Sequence, residues 1–366
     1  MTSIHLFVLA SLVVSLHTLG LIILFFSNLV MVILVFMLIY MLWKSVHEKN
    51  YSSYRFISGL LIRRAVFYEE EIAPDSIIPV TNKAKRLMRK RVFRRLFTEE
   101  LISAMKNIAG TSAGNLKHLY HQLELEKYAL KRLKQEHWHI KAKAIQELSL
   151  MDMQELKNDL FTYTNDRNEL VRMEAQTAVV QFNGFEGLRF LDTITYAMSE
   201  WQQIKLFQKL SSLPPTEIGI DGWLKSPNTS VVVFALKLAR NYHRFEVHDL
   251  IISCLDHEDS RIRLQSIDCL SEIYTSETAI HLISRFWRED LQHRLAIILA
   301  LQSIGSEDNS VFLGTLLSSP EYEIKLNAAR ALASTGLKGL SILIEHGTDD
   351  ATLNNIIAQV KGEIAA

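Results

Sequence analysis

The sequence predicts an all-α protein: an N-terminal transmembrane helix followed by a right-handed α-solenoid of stacked helical hairpins. Three observations predict it. From Ile4 to Trp43 there is no Asp, Glu, Lys or Arg, and about 20 apolar residues already span a bilayer as a helix. The formal net charge of zero hides two opposed regions, with 13 Lys/Arg against 7 Asp/Glu in residues 44–100 and 27 against 33 in residues 101–366. Finally, a cassette of an apolar residue, a basic residue and a small residue three positions on recurs through the last two-thirds of the chain. It reads Ile140-Lys141 with Ala144, Val171-Arg172 with Ala175, Ile204-Lys205, Val231-Val232 with Ala235, Ile262-Arg263 with Ser266, His293-Arg294, and Ile324-Lys325 with Ala328, in steps of 31, 33, 27, 31, 31 and 31 residues. A repeat of that length is one helix-turn-helix unit, which buries its apolar face only by stacking on its neighbours.

Residues 1–43 form the anchor. Its main span is Leu19 to Trp43, a length of roughly 37 Å at about 1.5 Å per residue. Ile4 to Thr18 is short for a second span. The expected topology is one pass with the amino terminus outside. The Lys/Arg-rich flank, with Lys44, Lys49, Arg55, Arg63 and Arg64, places the rest of the chain in the cytoplasm, at the inner face of a plasma membrane. A cleaved signal peptide calls for a basic start, a short apolar core and a small-residue cleavage site, and this apolar stretch is longer than that pattern.

Residues 44–115 are a basic juxtamembrane region. Glu69-Glu70-Glu71, Pro74 and Pro79 mark 69–82 as a connection. Lys83 to Arg95 then carries eight basic residues and no acid, and Met88, Val92 and Leu96 with Phe93 and Phe97 make an apolar stripe on an amphipathic helix over 83–97. Such a helix lies on anionic lipid headgroups, through Lys83, Lys85, Arg86, Arg89, Lys90, Arg91, Arg94 and Arg95. The alternative is a helix that caps the first repeat with its charges in water. The acidic remainder of the chain argues against a nucleic-acid partner.

Ala109 to Asn115 is the break before the solenoid, which occupies 116–366. Hairpins are expected near 137–165, 169–196, 199–225, 228–257, 259–289, 290–319 and 322–347, with a capping helix near 351–365. The basic residues Lys141, Arg172, Lys205, Arg263, Arg294 and Lys325 form a structural ladder. Asp259, Asp290 and Glu321 stand four residues before three of them, a spacing that suits an i,i+4 ion pair on an acid-rich first turn. An apolar residue follows the ladder position by seven in Leu148, Val179, Leu270, Leu301 and Leu332, and Gly184, Gly305 and Gly336 fall where a helix ends in a left-handed residue. The third unit, with Pro214-Pro215, Gly219 and Gly222, predicts a short or distorted second helix. In 276–289, Ile280, Ile283 and Phe286 read as the packing stripe, leaving His281, Arg285 and Arg288 to face a partner. Cys254 and Cys269 read as buried thiols on adjacent helices.

The segments Asp259-Ser-Arg-Ile-Arg-Leu-Gln-Ser-Ile-Asp-Cys-Leu and Glu321-Tyr-Glu-Ile-Lys-Leu-Asn-Ala-Ala-Arg-Ala-Leu-Ala-Ser-Thr-Gly resemble HEAT repeats, particularly the short bacterial kind also found in phycobilin lyases, over roughly 137–347. The resemblance implies a scaffold or adaptor, and the anchor with its basic flank makes a membrane-associated protein the expected partner, a multispan enzyme complex such as an envelope-polysaccharide glycosyltransferase being one client class. The resemblance also implies the alternative of a lyase-like protein holding a small molecule. No phosphate-cradling loop, HExxH, paired CxxC or nucleophile elbow is present, and the expectation is a non-enzyme without metal or cofactor.

Overall fold

The computed structural model describes residues 2–68, 77–210, 219–346 and 351–365. The predicted Pro214-Pro215 break and most of the acidic connection after Tyr68 lie outside these residues. Among the described residues there is no β-strand. The chain divides into two compact units, Met1–Ala129 and Leu130–Ala366.

The first unit is built on one helix. α1 runs without interruption from Thr2 to Val66. Its stretch Leu19–Lys44 has a mean hydropathy of 3.0 with no residue buried, long and apolar enough by length and composition to cross a membrane. Beyond Lys44 the same helix turns amphipathic, and Ile57, Leu61 and Ala65, at four-residue spacing, are buried. They pack beneath α3 (Arg91–Met105) and α4 (Thr111–Gln122), with α2 (Asn82–Met88) leading into α3. Phe93 sets its ring edge-on to Tyr54 at 5.5 Å and stacks on Phe97 at 6.3 Å. At the end of α1 the carbonyls that lack helical partners are taken up by side chains of α4: Ser112 donates to Val66 O and Asn115 to Tyr68 O, both at 2.8 Å. The Gln122 amide holds the extended segment before α2, accepting from Ile78 N at 3.0 Å and donating to Ile78 O at 2.9 Å.

Two expectations change here. The single helix over 83–97 is two helices, broken at Arg89 and Lys90, with Lys90 in extended conformation (φ −80°, ψ 123°). The stripe also rotates: Phe93, Leu96, Phe97 and Leu101 are buried whereas Val92 is 53% exposed. The cause is α1, whose apolar face takes the two phenylalanines and fixes how α3 is turned. The first compact unit includes α4 and ends at Ala129, within α5 (Glu126–Leu133).

The second unit consists of hairpins at the expected places. Their first helices are α6 (Trp138–Leu150), α8 (Glu169–Asn183), α9 (Glu200–Phe207), α11 (Thr229–Asn241), α13 (Ser260–Leu270), α15 (Leu291–Ile304) and α17 (Tyr322–Ser334). The second elements are α7 (Lys157–Phe161), a 3-10 helix at Gly184–Asp192, α10 (Ile220–Trp223), α12 (His248–Cys254), α14 (Thr278–Arg285), α16 (Ser310–Leu316) and α18 (Leu337–His346), and α19 (Ala351–Ala365) packs on α17. The third hairpin's second helix has only four residues, as its glycines and spacing predict. Ala144, Ala175, Ala235, Ser266 and Ala328 are fully buried, as are Leu148, Val179, Leu270, Leu301 and Leu332, so the small and apolar positions of the cassette form the seam along which first helices stack.

Candidate interaction surfaces

Five of the seven repeats start from a side-chain cap. Asn168, Ser199, Asn228, Asp259 and Asp290 accept from the backbone N–H of Leu170, Gln202, Ser230, Arg261 and His293 respectively, satisfying helix N-termini that would otherwise lack acceptors. The caps reset the repeat frame. Counting four residues from Ser199 reaches Gln203, so the ladder position of the third repeat is Gln203 and not Lys205. Gln202 then occupies the apolar cassette position, 1% exposed, and donates to Gln176 Oε1 at 3.1 Å, while Ile204 is 49% exposed. Lys205 instead approaches Glu174 at 3.6 Å. The sequence signal that locates the frame is the polar residue three before each buried cassette position.

Four other ladder residues, Lys141, Arg172, Arg263 and Arg294, tie their repeats to what flanks them. Lys141 reaches Asp166 at 3.6 Å. Arg172 donates to the carbonyls of Asp166 and Arg167 at 2.8 and 3.0 Å and lies 4.1 Å from the centre of the Tyr196 ring. Arg263 donates to the carbonyls of His257 and Glu258 and pairs with Glu289 at 3.1 Å. Arg294 donates to Glu289 O at 2.8 Å and reaches Glu321 at 3.8 Å. The expected pairing of Asp259 with Arg263 and of Asp290 with Arg294 is not what forms. Asp259 binds the Arg261 guanidinium at 2.8 Å, which holds its carboxyl well below the usual carboxylate range, and Asp290 accepts from His293 Nδ1 at 2.8 Å, which lowers its carboxyl likewise. A residue at the cap faces back over its own first turn, so its carboxylate meets the residues two or three ahead rather than the fourth.

The packing stripe of α14 also differs from expectation. Ala279, Leu282 and Phe286 are buried, and Ile280 is 67% exposed. Of the partner-facing candidates, His281 and Arg288 are exposed, but Arg285 is drawn inward by Asp256 and by Glu289 at 3.5 Å. Val311, 31 residues after Ile280 and at the equivalent place on α16, is 63% exposed. Large apolar side chains thus stand outside the core at one position of two successive second helices, with Trp287 exposed nearby in sequence. This is the first candidate surface.

A second lies on the first helices. Where α9 is short, a cleft of about 610 Å³ opens, lined by Ile204, Phe207, Lys237, Arg240, Asp268 and Glu272 among others. Its charges are mutually engaged: Arg240 pairs with Asp268 at 2.6 Å and Lys237 donates to Gln203 at 2.9 Å.

The third is the basic segment. Lys83, Lys85, Arg86, Arg89, Lys90, Arg91 and Arg95 are exposed. Arg94 is turned inward, donating to Met88 O at 3.0 Å with its guanidinium 3.6 Å from the centre of the Tyr128 ring, so it clamps α2, α3 and α5 together. Arg95 pairs with Glu99 at 3.1 Å.

The fold is an α-solenoid of helical hairpins that follows a long apolar helix in the chain. No protein-family model matches the chain, and no curated protein matches it either. Among solved structures it is similar to YibA of E. coli (13% identity, 82% of this chain and 95% of that one, TM-score 0.38). It is also similar to the CpcE–CpcF phycocyanin lyase complex of a Nostoc species (14%, 80% and 99%, TM-score 0.25). A third similarity is to Kap95p bound to RanGDP (12%, 88% and 47%, TM-score 0.40). Similarity at this level says nothing about what the chain binds.

Proposed function

We propose that this protein is a membrane-anchored adaptor whose repeat unit holds an integral membrane protein at the cytoplasmic face of an inner membrane. The observation that carries the reading is the exposure of Ile280 and Val311 on second helices whose opposite faces already fill the core. Apolar side chains kept out of a completed core at repeating positions are what a docking protein packs against. His281 and Arg288 add polar groups at its edge. The anchor is supported by the unburied apolar stretch Leu19–Lys44, long and apolar enough to cross a membrane. Cross-linking mass spectrometry on the protein in its native membrane tests it. Links from α14 and α16 to one integral membrane protein, lost in Ile280→Glu with Val311→Glu, are expected. Links unchanged by those substitutions, or confined to the chain itself, overturn it.

The cleft of about 610 Å³ favours a second reading, a small-molecule-binding or lyase-like protein. A bound chromophore visible in the absorbance of the purified protein supports that reading. A colourless protein with no ligand-induced thermal shift removes it.

A further inference from the structure

We infer that the basic turn between α2 and α3, Arg89-Lys90-Arg91 with Arg86 beside it, is a binding site for the phosphates of anionic lipid headgroups, held at working height by α1. The inference rests on the membrane-anchored reading above. α1 serves as the ruler. Its apolar stretch ends at Lys44 and the helix continues unbroken past Tyr54, which therefore stands roughly 15 Å beyond the span at about 1.5 Å per residue. Phe93, two residues into α3, packs against Tyr54, and Ser112 at the start of α4 bonds to the Val66 carbonyl. α3 therefore starts beside the Tyr54 level and runs away from the membrane, and the turn before it is the membrane-proximal end of the helix. The headgroup layer adds about 5–7 Å to each side of the hydrocarbon core, and extended Arg and Lys side chains cover most of the distance left.

The charges are available for such a contact. Arg86, Arg89, Lys90 and Arg91 are exposed, and among the described residues no acid pairs with them. Arg94 and Arg95, by contrast, are engaged inside the unit. The mode of binding also follows. Phe93, Leu96 and Phe97 are buried against the protein, so no apolar face is left to insert among acyl chains. Attraction to phosphate is therefore electrostatic, and falls within a Debye length of about 8–10 Å at physiological salt.

The experiment uses the full chain in lipid nanodiscs, with a fluorophore on Val92→Cys, an exposed position beside the turn. Quenching by a lipid spin-labelled at its headgroup is compared between phosphatidylcholine discs and discs containing phosphatidylglycerol. The expected result is several-fold stronger quenching with the anionic lipid, abolished by high salt and by Arg89→Glu, Lys90→Glu and Arg91→Glu together, and retained when Arg89 and Arg91 become Lys. A thermal melt equal to that of the parent shows that the charge-reversed protein is folded. Equal quenching in both disc types, with the protein still carried in the disc, overturns the headgroup site and leaves the anchor standing. Release of the full chain from the bilayer at alkaline pH overturns both.

Discussion

Arg263 forms its ion pair with Glu289, in the loop before the next repeat, and not with Asp259 four residues before it. Three guanidinium-to-carboxylate contacts of 3.1 to 3.2 Å join the two side chains, and Glu289 is 5% exposed. A buried carboxylate in that position needs its cation: Arg285 adds a contact at 3.5 Å, but Arg263 supplies the geometry. The pair couples the fifth repeat to the entrance of the sixth.

Replacing Arg263 with Met is accordingly expected to destabilise the repeat unit by about 3 kcal/mol, because it leaves a buried charge with one remote partner. Adding Glu289→Leu to that variant should recover much of the loss. Denaturant unfolding of the single and double variants measures both, and additive losses would show that the two residues are not coupled.

Gly187 lies where the 3-10 segment crosses α8, and a Cβ there would collide with the backbone of Val179 and Val180. Gly187→Ala should lower stability by about 2 kcal/mol or more through overpacking, whereas Gly114→Ala, with open space around the new carbon, should leave the melting temperature unchanged or raise it.

Acid should loosen the repeats. The carboxyls of Asp259, Asp290 and Glu321 are lowered by their hydrogen-bond donors, and Glu363 is lowered to about 2 chiefly by Arg330. A carboxyl lowered in the folded state contributes stability above its unfolded value of about 4, and that stability is lost as pH falls through the folded value. The melting temperature should therefore decline from about pH 4 towards pH 2, and Asp290→Asn should flatten part of that decline.

Cys269 is fully buried, donates to Leu236 O at 3.3 Å, and has its thiol pushed up to about 12 by burial. Cys254 is buried and raised for the same reason. Neither thiol should react with a thiolate-selective reagent at pH 8 until the protein unfolds, when both should react. Rapid labelling of the native protein would show that this seam opens.

Arg94 should behave unlike its basic neighbours. Arg94→Gln removes the bond to Met88 O and the contact with Tyr128 and should cost about 1–2 kcal/mol in the first unit. Arg89→Gln, at an exposed position, should stay within about 0.5 kcal/mol of the parent.

The sequence by itself determined the class of fold, the hairpin boundaries, the small-residue seam and the short second helix of the third repeat, because each depends on local periodicity and on residues that terminate helices. The apolar stretch was equally legible, since span length follows from composition alone. Only the tertiary structure decided the partners. Which acid Arg263 takes, which acid Lys205 approaches, and why Arg285 turns inward all depend on side chains about 30 residues away that stacking brings into reach. The rotation of α3 was likewise set from outside: of the apolar stripe its sequence offers, α1 buries the side that holds Phe93 and Phe97 and leaves Val92 exposed. Helical periodicity states that a face will be buried, whereas the shape of the neighbouring helix selects which.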